Sequence, residues 1–176
     1  MSTTEFGGGE MLVKEVMTAH PTCCVPSDAA QTAAIIMRDE DTGIVPIVEN
    51  KVNRRLVGVV TDRDLCLAVI AGRPRVAGQE GLDSTDLPIE YCMTETVISC
   101  KPGDDVEEVL KLMKDNQVRR ILVVDDHNTV SGIVSTSDLM NRANVEGGET
   151  RETLRGISKP TGQASKPRSQ SAGLSK

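Results

Sequence analysis

Residues 16–49, "VMTAHPTCCVPSDAAQTAAIIMRDEDTGIVPIVE", lie over residues 92–125, "CMTETVISCKPGDDVEEVLKLMKDNQVRRILVVD", at a shift of 76 residues. The overlay puts Met17 on Met93, Thr18 on Thr94, Cys24 on Cys100, Pro26 on Pro102, Asp28 on Asp104 and Met37 on Met113. A two-residue contraction in a loop then brings Gly58 onto Gly132, Asp64 onto Asp138 and Leu65 onto Leu139. The chain is a tandem of one unit, and every later assignment follows from that unit.

Each copy reads the same way. After "MT" comes a short extended stretch, then Pro followed by Ser–Asp or Gly–Asp, a good helix entry. Helical spacing places Ala30, Ala33, Ala34 and Met37 on one face, and Val106, Val109, Leu110 and Met113 on the matching face of the second copy. "IVPIVE" and "ILVVD" are continuous and β-branched, as strands buried on both faces are. A polar turn and a second strand, "LVGVVT" or "VSGIVS", complete a hairpin, and "RDLCLAVIAG" or "SDLMNRA" closes the unit as a helix. The predicted class is α+β, two β-α-β-β-α repeats. A unit of about sixty residues is small to stand alone, so the copies are expected to pack through their sheets about a pseudo-two-fold axis.

The boundaries follow from the repeat. Residues 1–11 read as a flexible leader, 12–71 as the first copy, 72–88 as a linker, 89–143 as the second copy and 144–176 as a disordered tail rich in Gly, Ser and Lys. The formal net charge of −6 argues against a general phosphate-backbone binder, and aromatic residues at 1% leave almost no stacking platforms for single strands. The charge is uneven: the tail carries six Lys/Arg and three Asp/Glu, so it is basic and the remainder strongly acidic. No stretch approaches a membrane span, and the N-terminal "MSTTEFGGGE" lacks the basic and apolar regions of a secretion signal, so the expected location is the cytoplasm. The five cysteines, an odd number at irregular spacing, read as small buried hydrophobes. Cys23 and Cys24 are adjacent and poorly placed to share a tetrahedral metal with His20, so no metal site is expected. No nucleophile elbow, P-loop, carboxylate pair or Cys–His pairing appears, so no enzyme activity and no catalytic cofactor are expected.

Two turns admit two readings each. Thr61-x-x-Asp64 in "GVVTDRDL" and Ser135-x-x-Asp138 in "GIVSTSDL" have the spacing of a helix capping box. The same carboxylate, at the first turn of a helix after a strand, can also accept two hydrogen bonds from a ribose diol. Neither role excludes the other. Arg119 and Arg120 are likewise either a solvated pair at a helix end or guanidinium forks suited to phosphate oxygens.

The ordered set of "VMT" and "CMT", "VPSD" and "KPGD", "VRRILVVD" and the two turns resembles a tandem pair of cystathionine β-synthase (CBS) domains across about residues 12–143. It also resembles the free-standing bacterial pairs, hypoxic-response members among them. The resemblance implies a sensor of an adenosyl ligand (AMP, ADP, ATP, NAD or S-adenosylmethionine) bound between the copies, in a chain that pairs into a homodimer. It implies a cleft of Val59, Thr61, Arg63 and Asp64 with Val97, Ile98, Arg119 and Arg120, in which the arginines meet phosphate. A second cleft of Pro21, Thr22, Ile44 and Pro46 with Ile133, Ser135, Ser137 and Asp138 holds no basic residue, so it suits a less charged adenosyl compound or none. Gly43 and Ile44 stand where the second copy has the two arginines. The expected function is a regulatory module that signals a bound adenosyl ligand through dimer geometry to an unknown partner. The alternative is a stress-associated interaction scaffold without a physiological nucleotide. Nucleic-acid binding through the basic tail is a third, less favoured reading.

Overall fold

A computed structural model of the chain describes residues 11–70 and 86–142; the leader, most of the linker and the tail named above lie outside them. The first copy contains α1 (Val13–Val16), β1 (Thr18–Ala19), α2 (Ala30–Asp39), β2 (Ile44–Val48), β3 (Leu56–Thr61) and α3 (Asp62–Leu65), which continues as a π-helical turn over Cys66–Ile70. The second contains a 3-10 turn (Ile89–Tyr91), β4 (Ser99–Cys100), α4 (Val106–Asn116), β5 (Arg120–Val124), β6 (Val130–Ser135) and α5 (Thr136–Arg142). The mixed α+β repeat and its pairing through sheets are as the sequence predicts. Among the described residues, no helix is long and apolar enough to cross a membrane.

The helices form where pattern and caps agree. In α4 the buried residues are Val106, Val109, Leu110 and Met113, the predicted face, and the Asp105 side chain accepts from the Glu107 N–H at its N-terminus. Gln117 ends it in a left-handed conformation, φ 53°. In α2, Ala30, Ala33 and Met37 are buried, but Ala34 is exposed and lies in a groove against α3. An alanine cannot reach the core that Leu110, its counterpart, fills. All five residues of β2 are buried, as are the last four of β5, in keeping with strands covered on both faces.

The sheets are built by exchange. One has the order β1-β6-β5-β4, in which β1 comes from the first copy and the rest from the second. The β2–β3 hairpin has the same neighbours in reverse: Val59 bridges Thr94 of the second copy, and Ile47 bridges Cys24. Thr18 pairs with Ile133 just as Thr94 pairs with Val59. The segments before each "MT" cross over too. Val13 N–H donates to the Asp104 carbonyl and Ile89 N–H to the Asp28 carbonyl, with the bonds of Lys14 to Pro102 and Glu90 to Pro26 beside them. Leu87 and Pro88, at the end of the region read as linker, therefore pack on the first copy, and Met11 on the second.

Two core clusters follow this exchange. Val13 and Val16 join Val109, Met113, Ile121 and Leu139 of the second copy, while Ile89 and Cys92 join Ala33, Val45, Val60 and Leu65 of the first. A third cluster, with Ile44, Val48, Leu56, Leu122, Val124 and Ile133, takes residues from both hairpins. At the hairpin ends Leu56 N–H donates to Asn128 O and Val130 N–H to Arg54 O, a pair of bonds related by the pseudo-two-fold. Gly58 and Gly132 mark where the opposite copy's "MT" passes. A Cβ on Gly132 would stand 2.6 Å from Met17 Sδ and 3.0 Å from the Thr18 carbonyl oxygen.

Candidate functional site

The crossing of the "MT" segment over Gly58 brings the following residues, Thr94 to Ile98, against the end of β3. The hairpin of the second copy brings the start of β5 to the same place. Between them opens a cavity of about 610 Å³, within the range of small-molecule sites. Val59, Thr61, Arg63, Asp64, Val97, Ile98, Arg119 and Arg120, the eight residues of the first cleft, all line it. Gly43, Ile44, Asp62, Thr94, Thr96, Gln117, Val118 and Leu122 complete the wall. The sequence reading missed these eight as members of this cleft. Ile44, assigned to the second cleft, lines the first.

Both turns are capping boxes. Thr61 Oγ1 accepts from the Asp64 N–H at 3.2 Å, and Asp64 Oδ2 accepts from the Thr61 N–H at 3.0 Å and the Thr61 hydroxyl at 2.7 Å. In the second copy Asp138 Oδ2 accepts from the Ser135 N–H at 2.9 Å and the Ser135 hydroxyl at 2.6 Å, and Ser135 Oγ accepts from the Asp138 N–H. In each case one carboxylate oxygen takes both bonds, and Oδ1 accepts none from the described residues. The cap therefore fixes the carboxylate and uses half of it. Asp64 is half-buried, on the wall of the cavity.

The floor is apolar, with Ile44 and Leu122 buried and Val59, Val97 and Ile98 half-buried. The rim is charged, with Arg63, Arg119 and Arg120 exposed. Arg120 opens β5 in register with Ser135, and the Arg119 carbonyl accepts from the Thr136 N–H at 3.0 Å. Chemically the cavity offers flat apolar surface, one oriented carboxylate oxygen and three guanidinium forks.

The remaining second-cleft residues are differently engaged. Thr22 donates its hydroxyl to Glu40, and the Pro21 carbonyl accepts from Arg54 Nη2 at 2.8 Å and from the Cys23 thiol. Arg54, on the β2–β3 turn, thus supplies a cation beside Pro21 that the sequence reading did not include. Ile133 and Pro46 are buried, Ser135 and Asp138 half-buried, and Ser137 exposed. The cysteines divide four to one. Cys23, Cys24, Cys92 and Cys100 are buried, but Cys66 is exposed just after α3, contrary to the reading of all five as buried. Its position on the wall of the groove beside α2, rather than on the core face, leaves it open to solvent. Burial pushes the thiols of Cys24 and Cys100 up to about 12, and raises that of Cys23. Among the described residues no group of three or more His, Cys, Asp or Glu is placed to hold a metal ion.

Comparison with known proteins agrees with this architecture. The CBS domain model matches residues 13–71 and again 87–144. The chain is 34% identical over 127 residues to the CBS domain-containing protein YhcV of Bacillus subtilis, covering 72% of this chain and 81% of that one. It is 29% identical to Hypoxic response protein 1 of Mycobacterium tuberculosis over 126 residues, 72% of this chain and 80% of that one. The crystal structure of that protein with two coordinated zinc ions superposes with a TM-score of 0.58 over 75% of this chain and 98% of its own. The CBS domain pair of protein MJ0100, in complex with 5-methylthioadenosine and S-adenosyl-L-methionine, is 26% identical with a TM-score of 0.63, over 77% of this chain and 98% of that chain. With two matched units that exchange their strands in one fold, this chain belongs to the CBS-domain family.

Proposed function

We propose that the chain is a regulatory module that binds an adenosyl ligand in the cavity between its two copies. One observation carries the reading. The apolar floor, the half-used Asp64 carboxylate and the three arginines line a single cavity of about 610 Å³. Adenine is flat and fits among Val59, Val97 and Ile98. A ribose diol donates to Asp64 Oδ1, the oxygen left by the cap. Phosphate oxygens meet Arg63, Arg119 and Arg120, for which guanidinium forks are suited. The adenosyl compounds bound by the MJ0100 pair support the same class. AMP, ADP, ATP, NAD and S-adenosylmethionine are the candidates, and the arginines favour the phosphorylated ones. Bound ligand signals by favouring one geometry of a homodimer over another, which requires unequal affinity for the two. No reaction is assigned to the site.

The test is calorimetric titration of these five compounds into wild type and an Arg119→Ala/Arg120→Ala variant. AMP is expected to bind wild type and to bind the variant at least tenfold more weakly. Equal affinity for AMP refutes the assignment. Asp64→Ala is a poorer first variant, because it also removes a cap.

A second reading, as a protein-interaction scaffold, is favoured by a different observation. An apolar groove of about 380 Å³ runs between α2 and α3, lined by Ala34, Leu65, Cys66, Val69 and Ile70 among others. Ile70 is 80% exposed, Leu67 45% and Ile35 43%. Light scattering of Leu67→Glu against wild type reads whether this face holds chains together: a homodimer through it falls to monomers.

A further inference from the structure

The cavity contains a carboxylate that the adenosyl reading leaves without a task. Asp62 follows the Thr61 cap, and its Oδ1 accepts from the Arg63 N–H at 2.7 Å. That bond turns Oδ2 toward Gly43. A Cβ built on Gly43 would stand 3.0 Å from Asp62 Oδ2 and 3.2 Å from Arg120 Nη1. Two side-chain tips of opposite charge, one from each copy, therefore converge over a residue that has no side chain of its own. The second copy has no such arrangement. Arg119 stands there in place of Gly43, Thr136 in place of Asp62, and Ile44 in place of Arg120.

Resting on the adenosyl reading above, we propose that Asp62 is a charge filter: it competes with the ligand's phosphates for Arg120 and so limits the affinity gained with each added phosphate. The ionisable groups on the wall are Arg63, Arg119 and Arg120 against Asp62 and Asp64. With Asp62 present they leave a single surplus positive charge, enough to favour a nucleoside monophosphate over the nucleoside but a weak match for a polyphosphate. Without it the surplus doubles. Asp62 and Arg120 meet over Gly43 without closing to an ion pair, and both are exposed, so the charge acts through screening water and salt and the effect is of modest size.

The experiment is calorimetric titration of adenosine, AMP, ADP and ATP into wild type, Asp62→Asn, Arg120→Ala and the double variant. Asn keeps the shape and the bond from the Arg63 N–H while removing the charge. Asp62→Asn is expected to leave adenosine unchanged and to tighten AMP about two- to fivefold, the span of an exposed charge pair. The gain grows through ADP to ATP and shrinks as salt is raised. In the Arg120→Ala background the same substitution is expected to change AMP binding less than twofold. Equal tightening of adenosine and AMP, an unchanged ratio between them, or a full effect without Arg120 overturns the filter while leaving the adenosyl reading intact. If wild type binds none of the four, both fall together.

Discussion

The exchange of segments between the copies makes a quantitative demand at Gly132. An alanine there sets its methyl 2.6 Å from Met17 Sδ and 3.0 Å from the Thr18 carbonyl oxygen. The thioether can rotate away, but the carbonyl belongs to β1, which is held to β6 through the Thr18–Ile133 and Ala19–Gly132 pairs. Moving it opens that ladder. Overpacking of this kind costs about 1–3 kcal/mol. Loss of glycine's freedom in the unfolded chain returns roughly 0.4–1 kcal/mol. Gly132→Ala is therefore expected to destabilise by about 1–2 kcal/mol, or roughly 2–8 °C at this chain length. At Gly58 the corresponding distances are longer, 3.0 Å to Met93 Sδ and 3.1 Å to the Thr94 carbonyl oxygen. Gly58→Ala should cost less, about 0–1 kcal/mol. The chain has no Trp and one Tyr, so urea unfolding followed by far-ultraviolet circular dichroism is the suitable assay. A cycle with Met17→Ala separates the two contacts at Gly132: truncation relieves the thioether and leaves the carbonyl. If Gly132→Ala is as stable as wild type, or Gly58→Ala costs more than Gly132→Ala, the crossing does not constrain these positions as argued.

Three further predictions concern the turns and the thiols. Thr61→Ala removes an acceptor for the Asp64 N–H and a donor to its carboxylate, and is expected to cost about 0.5–2 kcal/mol in the same denaturation assay; no loss refutes the cap. With Ellman's reagent at neutral pH, Cys66 should react fast and the other four only on unfolding; more than one fast thiol refutes the burial described. Because folding raises the Cys24 and Cys100 thiols from about 9 to about 12, the unfolded chain loses their protons first as pH climbs. Their contribution is thus complete below about 9 and is lost progressively toward 12, which alkaline melting curves will show as a falling midpoint that Cys24→Ala and Cys100→Ala flatten.

How much of this was legible in the residues differs between fold and site. Hairpins and helices were, because each copy states its own periodicity and the second repeats it. β3 and β6 begin and end where "LVGVVT" and "VSGIVS" do. The exchange was not. Nothing local in "VKEVMT" distinguishes packing on its own copy from packing on the other, since the same apolar residues satisfy either. Only the long-range bonds, such as Val13 to Asp104, decide it. Ala34 shows the converse limit: periodicity puts it on the inner face, but its small side chain and a groove beside α3 leave it exposed. In the site, the eight residues that carry charge or follow the family pattern were named in advance and line one cavity. Gly43 and Asp62 were not assigned to it. The repeat alignment did set Gly43 opposite Arg119, but the position was read for the charge it lacks. The useful signal was the room a missing side chain makes.

The cap at the Thr/Ser-x-x-Asp turn and the ligand contact proposed for it are also connected by geometry. A cap alone would orient Asp64 with no reason for a cavity beside it. A ligand site alone would need some other device to hold a short carboxylate still. In this chain one oxygen does the holding and the other takes no part in the cap, so the cost of fixing the side chain is met by the helix before any ligand arrives. The strand starts then tie the copies together. Arg119 and Arg120 line the cavity of the first turn, while their backbone holds the second, through the Thr136 N–H and the register of Arg120 with Ser135. Gly43 and Ile44 hold the first turn in the same way, through the Asp62 N–H and the pairing of Ile44 with Thr61. The two arginines that open β5 and line the cavity of the first turn are thus the residues whose backbone supports the second.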